Sequence, residues 1–121
     1  MGFGNPAAER AAIEGTYEDT AVISRMETVL DGDLTRPRPA AVYTGVACAL
    51  SRDGADGSGQ RAPQNEIDYD ATLFLAPELD VQPGDRVEVS RFGRTYAYAV
   101  EGRPAVYATH QEARLKERDL A

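Results

Sequence analysis

The 121-residue chain predicts a mainly β fold, a small antiparallel β-barrel with a short N-terminal helix and a long loop between the second and third strands. Three observations carry this prediction. Gln82-Pro83-Gly84-Asp85 joins a Pro, whose φ is already near its turn value, to a Gly that tolerates positive φ, as a type II turn requires. Beyond it, Val87 and Val89 alternate with Arg86, Glu88 and Ser90, the period of two of a half-buried strand. Similar short runs recur between turn signals along the chain, the spacing of a small sandwich or barrel.

Taken in order, Asn5-Pro6-Ala7-Ala8-Glu9 reads as a helix start: Asn caps, Pro fits the first helical position, and Glu9 suits the positive end of the dipole. Gly15 ends it. About nine residues are too few to be stable alone, so the alanine side with Ile13 is expected at the domain edge or against a neighbouring subunit. Thr20 to Met26 reads as the first strand, Val22 out of phase with Ala21 and Ile23, and Asp31-Gly32-Asp33 is a turn signal. Pro37 and Pro39 keep the next piece extended. Ala41 to Ser51 forms the second strand, with Val46, Cys48 and Leu50 on one face.

Asp53 to Asn65, DGADGSGQRAPQN, has no apolar anchor beyond alanine and reads as a long mobile loop. Ile67, Tyr69, Ala71, Leu73 and Leu75 then alternate with Asp68, Asp70, Thr72 and Phe74 as a third half-buried strand. After the Pro-Gly turn and the Val87 strand, Phe92-Gly93 leads to Arg94 to Val100, where Tyr96, Tyr98 and Val100 oppose Thr95, Ala97 and Ala99 in a hairpin. Glu101-Gly102-Arg103-Pro104 interrupts, and Ala105 to Leu115 gives one more run with Ala105, Tyr107, Ala113 and Leu115 in phase. The expected division is an arm over 1–16, a barrel over 17–115 with its loop at 52–66, and a tail over 116–121.

A chain of this length forms one domain that buries about two thirds of its unfolded surface. Its net charge of −7 argues against a surface that grips nucleic acid through many phosphates. No apolar run approaches the ~20 residues of a membrane span, and the N-terminus lacks the basic start and apolar stretch of a secretory signal. A lone Cys48 fits a reducing compartment, so a soluble protein made in a cytoplasm is expected.

Chemistry finds no address in this sequence. Asp53 and Asp56 lack EF-hand spacing, with Gln64 where the twelfth-position Glu would stand. One histidine, His110, and the distant Cys48 make no zinc ligand pair. A Cys48–His110 nucleophilic pair is opposed by the apolar phase of Cys48, which reads as a small buried hydrophobe. Asp68 and Asp70 read as solvated charges, and Gly54, Gly57 and Gly59 precede a strand where a phosphate loop needs a helix. Tyr96, Tyr98 and Tyr107 could present a stacking platform for single-stranded nucleic acid, but filling the interior or pairing across strands is the preferred reading. No catalytic residue, cofactor or metal is predicted.

Leu73-Phe74-Leu75-Ala76-Pro77, Pro83-Gly84, Arg94-Thr95, Gly102, Pro104-Ala105-Val106-Tyr107 and Thr109-His110-Gln111-Glu112 resemble a family of small proteins of tailed bacteriophages and prophages. Upstream, Tyr17-Glu18, Thr20, Cys48 and Leu50-Ser51 are similar too, so the resemblance runs from about Tyr17 to Glu112. The family is that of head-closure, stopper or head completion proteins of the siphovirus-type head-to-tail connector. Ala49 stands where members often carry Arg, and Lys116 to Ala121 replaces an aromatic-rich tail.

The resemblance implies a non-enzymatic virion protein of the neck. It would form a homo-oligomeric ring, hexameric by that resemblance, below the portal and adaptor proteins, retain packaged DNA by transient contact without sequence preference, and dock a tail terminator or tail tube. No membrane is involved. The expected channel-gating loop is Asp53, Gly54, Ala55, Asp56, Gly57, Ser58, Gly59, Gln60 and Arg61. Expected assembly contacts are Pro6, Ile13, Tyr107, His110, Glu112 and Leu115. Two other roles stay open: a tail-completion or adaptor protein of the same neck, and a small β-barrel module that binds oligonucleotides or a protein.

Overall fold

A computed structural model describes residues 5–52 and 70–118. Helix α1, Pro6–Glu14, begins as its sequence dictates: the Asn5 side chain accepts a hydrogen bond from the Ala7 amide at 3.1 Å, Pro6 occupies the first turn, and Gly15 caps the end. None of its residues is buried. What holds it is Arg10, which donates to Glu14 within the helix and to Glu78 across the chain, each at 2.7 Å.

Seven strands follow among the described residues: β1 Asp19–Asp31, β2 Leu34–Ser51, β3 Ala71–Leu75, β4 Arg86–Arg91, β5 Arg94–Val100, β6 Ala105–Val106 and β7 Gln111–Glu117. They form one antiparallel sheet in the order β3-β2-β1-β4-β5-β7-β6, and β3 also pairs with β7, so the hydrogen bonding returns on itself as a ring. The alternation found in the sequence points inward here. Ile23, Cys48, Leu73, Leu75, Val87, Val89 and Leu115 are fully buried, with Leu50, Tyr98, Val100 and Ala113 around them.

The Pro83-Gly84 turn has its predicted form, Gly84 at φ +89° and the Asp85 amide donating to the Gln82 carbonyl at 3.1 Å. The strands on either side of it do not pair with each other; β3 lies between β2 and β7, and β4 between β1 and β5. The turn therefore redirects the chain across the ring. Phe92-Gly93, in contrast, closes the expected β4–β5 hairpin, both residues at positive φ as a type I′ turn demands.

Two expectations need correction. The run from Ala105 to Leu115 is two strands, because the Tyr107 amide donates to the His110 carbonyl at 2.8 Å and folds β6 back on β7. Ala105 and Tyr107 are exposed while Ala113 and Leu115 are buried. Leu115, expected as an assembly contact, is thus core: it pairs with Ala71 and Val100 and is sealed from solvent. The strand also continues past 115, where Lys116 and Glu117 pair with Ala99 and Tyr98.

The second strand is longer than predicted. β2 starts at Leu34, so Pro37 and Pro39 lie inside it, opposite Thr28 and Met26 of β1. Prolines two apart aim their missing N–H groups at the same edge. On that side β2 meets β3 only over Cys48–Ser51, so no ladder bond is lost. Likewise β4 pairs β1 only from Thr20 to Ser24. Among the described residues, the two strands pair only with each other from Arg25 to Asp31 and from Leu34 to Ala40, a two-stranded ribbon that leaves the ring and extends about 24 Å at ~3.4 Å per residue.

The boundary is marked by two bulges in β2. Ala21 and Ile23 face Val46 and Tyr43, then Ser24 faces Ala41, so β2 carries one extra residue at each step. Gly45 sits in the first at φ +62°, a conformation that costs little only for glycine. Bulges bend a strand and increase its twist, and these two fall where the strands part from the ring.

Candidate assembly surfaces

Two buried carboxylates anchor the ring where β1 enters and leaves it. Asp85, 2% exposed, receives Nε and a terminal nitrogen of Arg25 at 2.8 Å each and the Gln82 amide at 2.9 Å. Asp19 accepts from Arg91 at 3.0 Å and from the Leu50 amide at 2.9 Å, while Arg91 also donates to the Leu50 carbonyl. Each guanidinium, bonded to its buried carboxylate, has its pKa raised. These pairs are structural, since every oxygen is occupied by a fold contact. Gln111 does the same work elsewhere, its amide donating to the Ala76 and Leu79 carbonyls and fixing the connection between β3 and β4.

Cys48 lies in the core with no exposed surface, and burial, followed by the Asp19 charge, pushes its thiol up to about 12. A thiol held that far above neutral pH is no nucleophile. Among the described residues no three His, Cys, Asp or Glu side chains converge on a point that could hold a metal. Tyr98 is interior, as preferred from the sequence, with its pKa raised by burial. Tyr96 is half-buried beneath Arg52, and Tyr107 is exposed, so the three rings form no common platform.

What the described surface does offer is uncovered apolar area in three places. The first is the ribbon. Residues paired directly across antiparallel strands share a face, and the register places Ser24, Met26, Thr28 and Leu30 with Ala41, Pro39, Pro37 and Thr35 on one side. None is charged. The other side carries Arg25, Glu27, Asp31, Arg36 and Arg38 together with Val29, Leu34 and Ala40; Arg25 binds Asp85, Arg36 lies 3.6 Å from Asp31, and Glu27 stands opposite Arg38 in the register. Met26 is 52% exposed and Leu30 74%.

The second is a groove of about 510 Å³ between α1, β2 and the β3–β4 connection, lined by Val42, Val46, Ala47, Ala76 and Leu79 with Tyr17, Tyr43 and the Arg10–Glu14 pair. The Arg10 bond holds the Glu78 carboxyl below its usual range. The Tyr17 hydroxyl is buried and has no hydrogen-bond partner among the described residues, and burial, then the Glu14 charge, raises its pKa.

The third is the corner between β6 and β7. Tyr107 stacks on His110 with ring centroids 5.0 Å apart, Phe74 meets the same imidazole at 5.9 Å, and His110 Nε2 lies 2.9 Å from Glu112. Since a carboxylate only accepts, Nε2 is the donor, and Nδ1 lies 3.0 Å from the Thr109 hydroxyl, which can donate or accept. The structure therefore brings Tyr107, His110 and Glu112 together. It places Pro6 exposed at the head of α1 and Ile13 half-buried near its end, apart from Leu115 in the core. The expected gating residues Asp53 to Arg61 lie outside the described residues.

The ribbon and Phe92 escaped the sequence reading. The signal for the ribbon was present, an alternation of uncharged and charged residues mirrored about Asp31-Gly32-Asp33. Phe92, 85% exposed at φ +50°, is an apolar residue at a backbone position that favours Gly or Asn; its strain is visible only in the structure. Comparison with protein-family models, curated proteins and solved structures finds no match to this chain.

Proposed function

We propose that this protein is a structural subunit of the head-to-tail connector of a tailed bacteriophage, a small β-barrel that assembles as a ring below the portal and adaptor, closes the DNA channel and presents a docking surface to the tail. The residue resemblance supplies the family. The observation that carries the assembly reading is the ribbon: a pair of strands with one uncharged face that no described residue of the subunit covers.

Physical features of the chain agree with such a role. A two-stranded ribbon is marginal by itself and gains stability when another surface covers it. Net charge of −7 disfavours tight binding of phosphates by repulsion, so DNA can slide through a lumen built of these subunits. The hexameric ring, the contacts to portal, adaptor and tail, the location in the virion neck, and the gating role of Asp53 to Arg61 all come from the resemblance. Binding of single-stranded nucleic acid is less well supported, because Tyr98 is buried and removes the centre of the aromatic platform.

Electron microscopy of virions, with antibody labelling of this chain, is the test. Label at the head-to-tail junction and a ring there are expected; particles that lack the protein overturn the reading.

A further inference from the structure

We infer that α1 is a hinged flap: the Arg10–Glu78 ion pair latches it beside the apolar groove, and it swings open on Gly15-Thr16 without unfolding the ring. The flap needs no partner molecule, so it stands whether or not the chain is a connector subunit.

Between Asn5 and Tyr17, only Arg10, Ile13, Glu14 and Tyr17 are partly withdrawn from solvent, and the other positions are exposed. Their spacing is that of one helical face. Arg10, Glu14 and Tyr17 line the groove together with Val42, Val46, Ala47 and Leu79, yet about 510 Å³ stays open between them, and no residue of α1 is buried. Contact that loose offsets little of the entropy lost in ordering nine residues, and a helix of this length has little stability of its own.

What closes the flap is therefore polar. Among the described residues, one polar contact joins α1 to the strands and their connections, from Arg10 to Glu78 at 2.7 Å. Glu78 belongs to the β3–β4 connection, which Gln111 fixes to the ring through the Ala76 and Leu79 carbonyls, so the latch closes on a rigid seat. Both side chains keep contact with solvent, 32% and 61% exposed, so the pair is screened by salt and opens at small cost.

On the other side of the hinge the chain is held again. The Tyr17 hydroxyl is buried, and two residues on Asp19 accepts from Arg91 and the Leu50 amide. Gly15 and Thr16, both exposed, lie between the latch and this anchor. A few such residues absorb the backbone rotation of a hinge. Once open, the flap uncovers the wall of Val42, Val46, Ala47 and Leu79, so the latch sets how much apolar surface the subunit shows.

The test is amide hydrogen exchange of the full chain, followed by NMR. The Glu9 and Gly15 amides, which donate to the Asn5 and Ala11 carbonyls, report the helix, and the amides of β3 and β4 report the ring. Glu78→Gln leaves the helix sequence and its Arg10–Glu14 pair intact, so it should lower α1 protection about threefold, as loss of an exposed ion pair does, with the strand amides unchanged. Salt at about 1 M should do the same to the wild type and nothing more to the variant, which covers a variant that fails to fold. Gly15→Ala should act in the opposite direction and raise protection about threefold, because a φ of −66° suits alanine and the added Cβ would lie 3.4 Å from the Ala11 carbonyl oxygen, an ordinary contact. Three results overturn the flap: wild-type α1 amides that exchange as fast as an unstructured peptide, α1 protection that Glu78→Gln leaves unchanged or that salt lowers equally in both proteins, and strand amides that lose protection in step with α1.

Discussion

β1 and β2 pass through two environments, and the same two strands behave differently in each. Within the ring, Ile23, Cys48 and Leu50 are sealed, and the one charged residue that turns inward from β1, Asp19, is met by Arg91 and the Leu50 amide. A few residues further along, in the ribbon, Met26 and Leu30 continue the alternation into open solvent. Periodicity alone thus says that a face is to be covered; it does not say by which molecule. The ring is completed by its own chain, and the uncharged face of the ribbon is left uncovered by the described residues.

The comparison is most exposed to failure in the ring, where effects are largest. Leu73→Ala should cost about 3 kcal/mol in denaturant unfolding, because a fully buried leucine leaves both a transfer loss and a cavity. A loss below about 1 kcal/mol would mean that the ring core is loose and no better packed than the ribbon. Asp85→Asn should cost about 2 kcal/mol: it leaves Arg25 without its bidentate partner at the base of the ribbon, a penalty reduced because Arg25 remains 31% exposed. Urea titration with the Arg25→Met single and double variants would show whether the two residues act as a pair.

The ring should also carry an alkaline signature that the ribbon lacks. The folded state holds the Cys48 thiol protonated up to about 12, against 9.0 for the free group. Between those values the native state binds a proton that the unfolded chain has released, so stability is fully present below about pH 9 and falls as pH rises, by about 1.4 kcal/mol per pH unit from this group. Cys48→Ala should cost about 1 kcal/mol at neutral pH and flatten the alkaline limb relative to wild type. Parallel limbs in the two proteins would show that the thiol titrates freely and that this part of the core is wet.

Much of the ring was legible in the sequence and much of the ribbon was not, for one reason. Helix α1, the Pro83-Gly84 turn, the β4–β5 hairpin and the inward phases of β3 and β5 follow from local signals that the chain itself satisfies. Where partner choice is nonlocal, local signals stop. Nothing in Ala105 to Leu115 announces that Tyr107 turns the chain back on β7, so Leu115 read in phase with Tyr107 as an assembly contact and is core. Nor do Pro37 and Pro39 look like strand residues until β2 is seen to have a free edge there. Of the expected assembly contacts, Tyr107, His110 and Glu112 lie together because they are near in sequence; the groove joins α1, β2 and the β3–β4 connection, which are not.

One ring position imitates the ribbon, and it predicts a change of opposite sign. Phe92 holds an αL-like backbone at a hairpin tip with its side chain in water, so Phe92→Asn should raise stability by about 1 kcal/mol by supplying the Asn-Gly pair that a type I′ turn prefers. Thermal unfolding would register this as a higher midpoint. A lower one would mean that Phe92 packs on something within the chain.

The smallest effect discriminates best. Met26→Ser with Leu30→Ser should change the stability of the isolated subunit by no more than about 0.5 kcal/mol, since both side chains already face solvent and such surface changes rarely do more. The wild-type midpoint should rise with protein concentration, because assembly binds the native state and not the unfolded one, and the variant's should not. Unfolding followed across a hundredfold range of concentration separates the two contributions: the curves should coincide when dilute and diverge when concentrated. Should the variant be markedly weaker even at high dilution, the ribbon face would be covered by its own chain, and the contrast between a self-completed ring and an uncovered ribbon would fall with it.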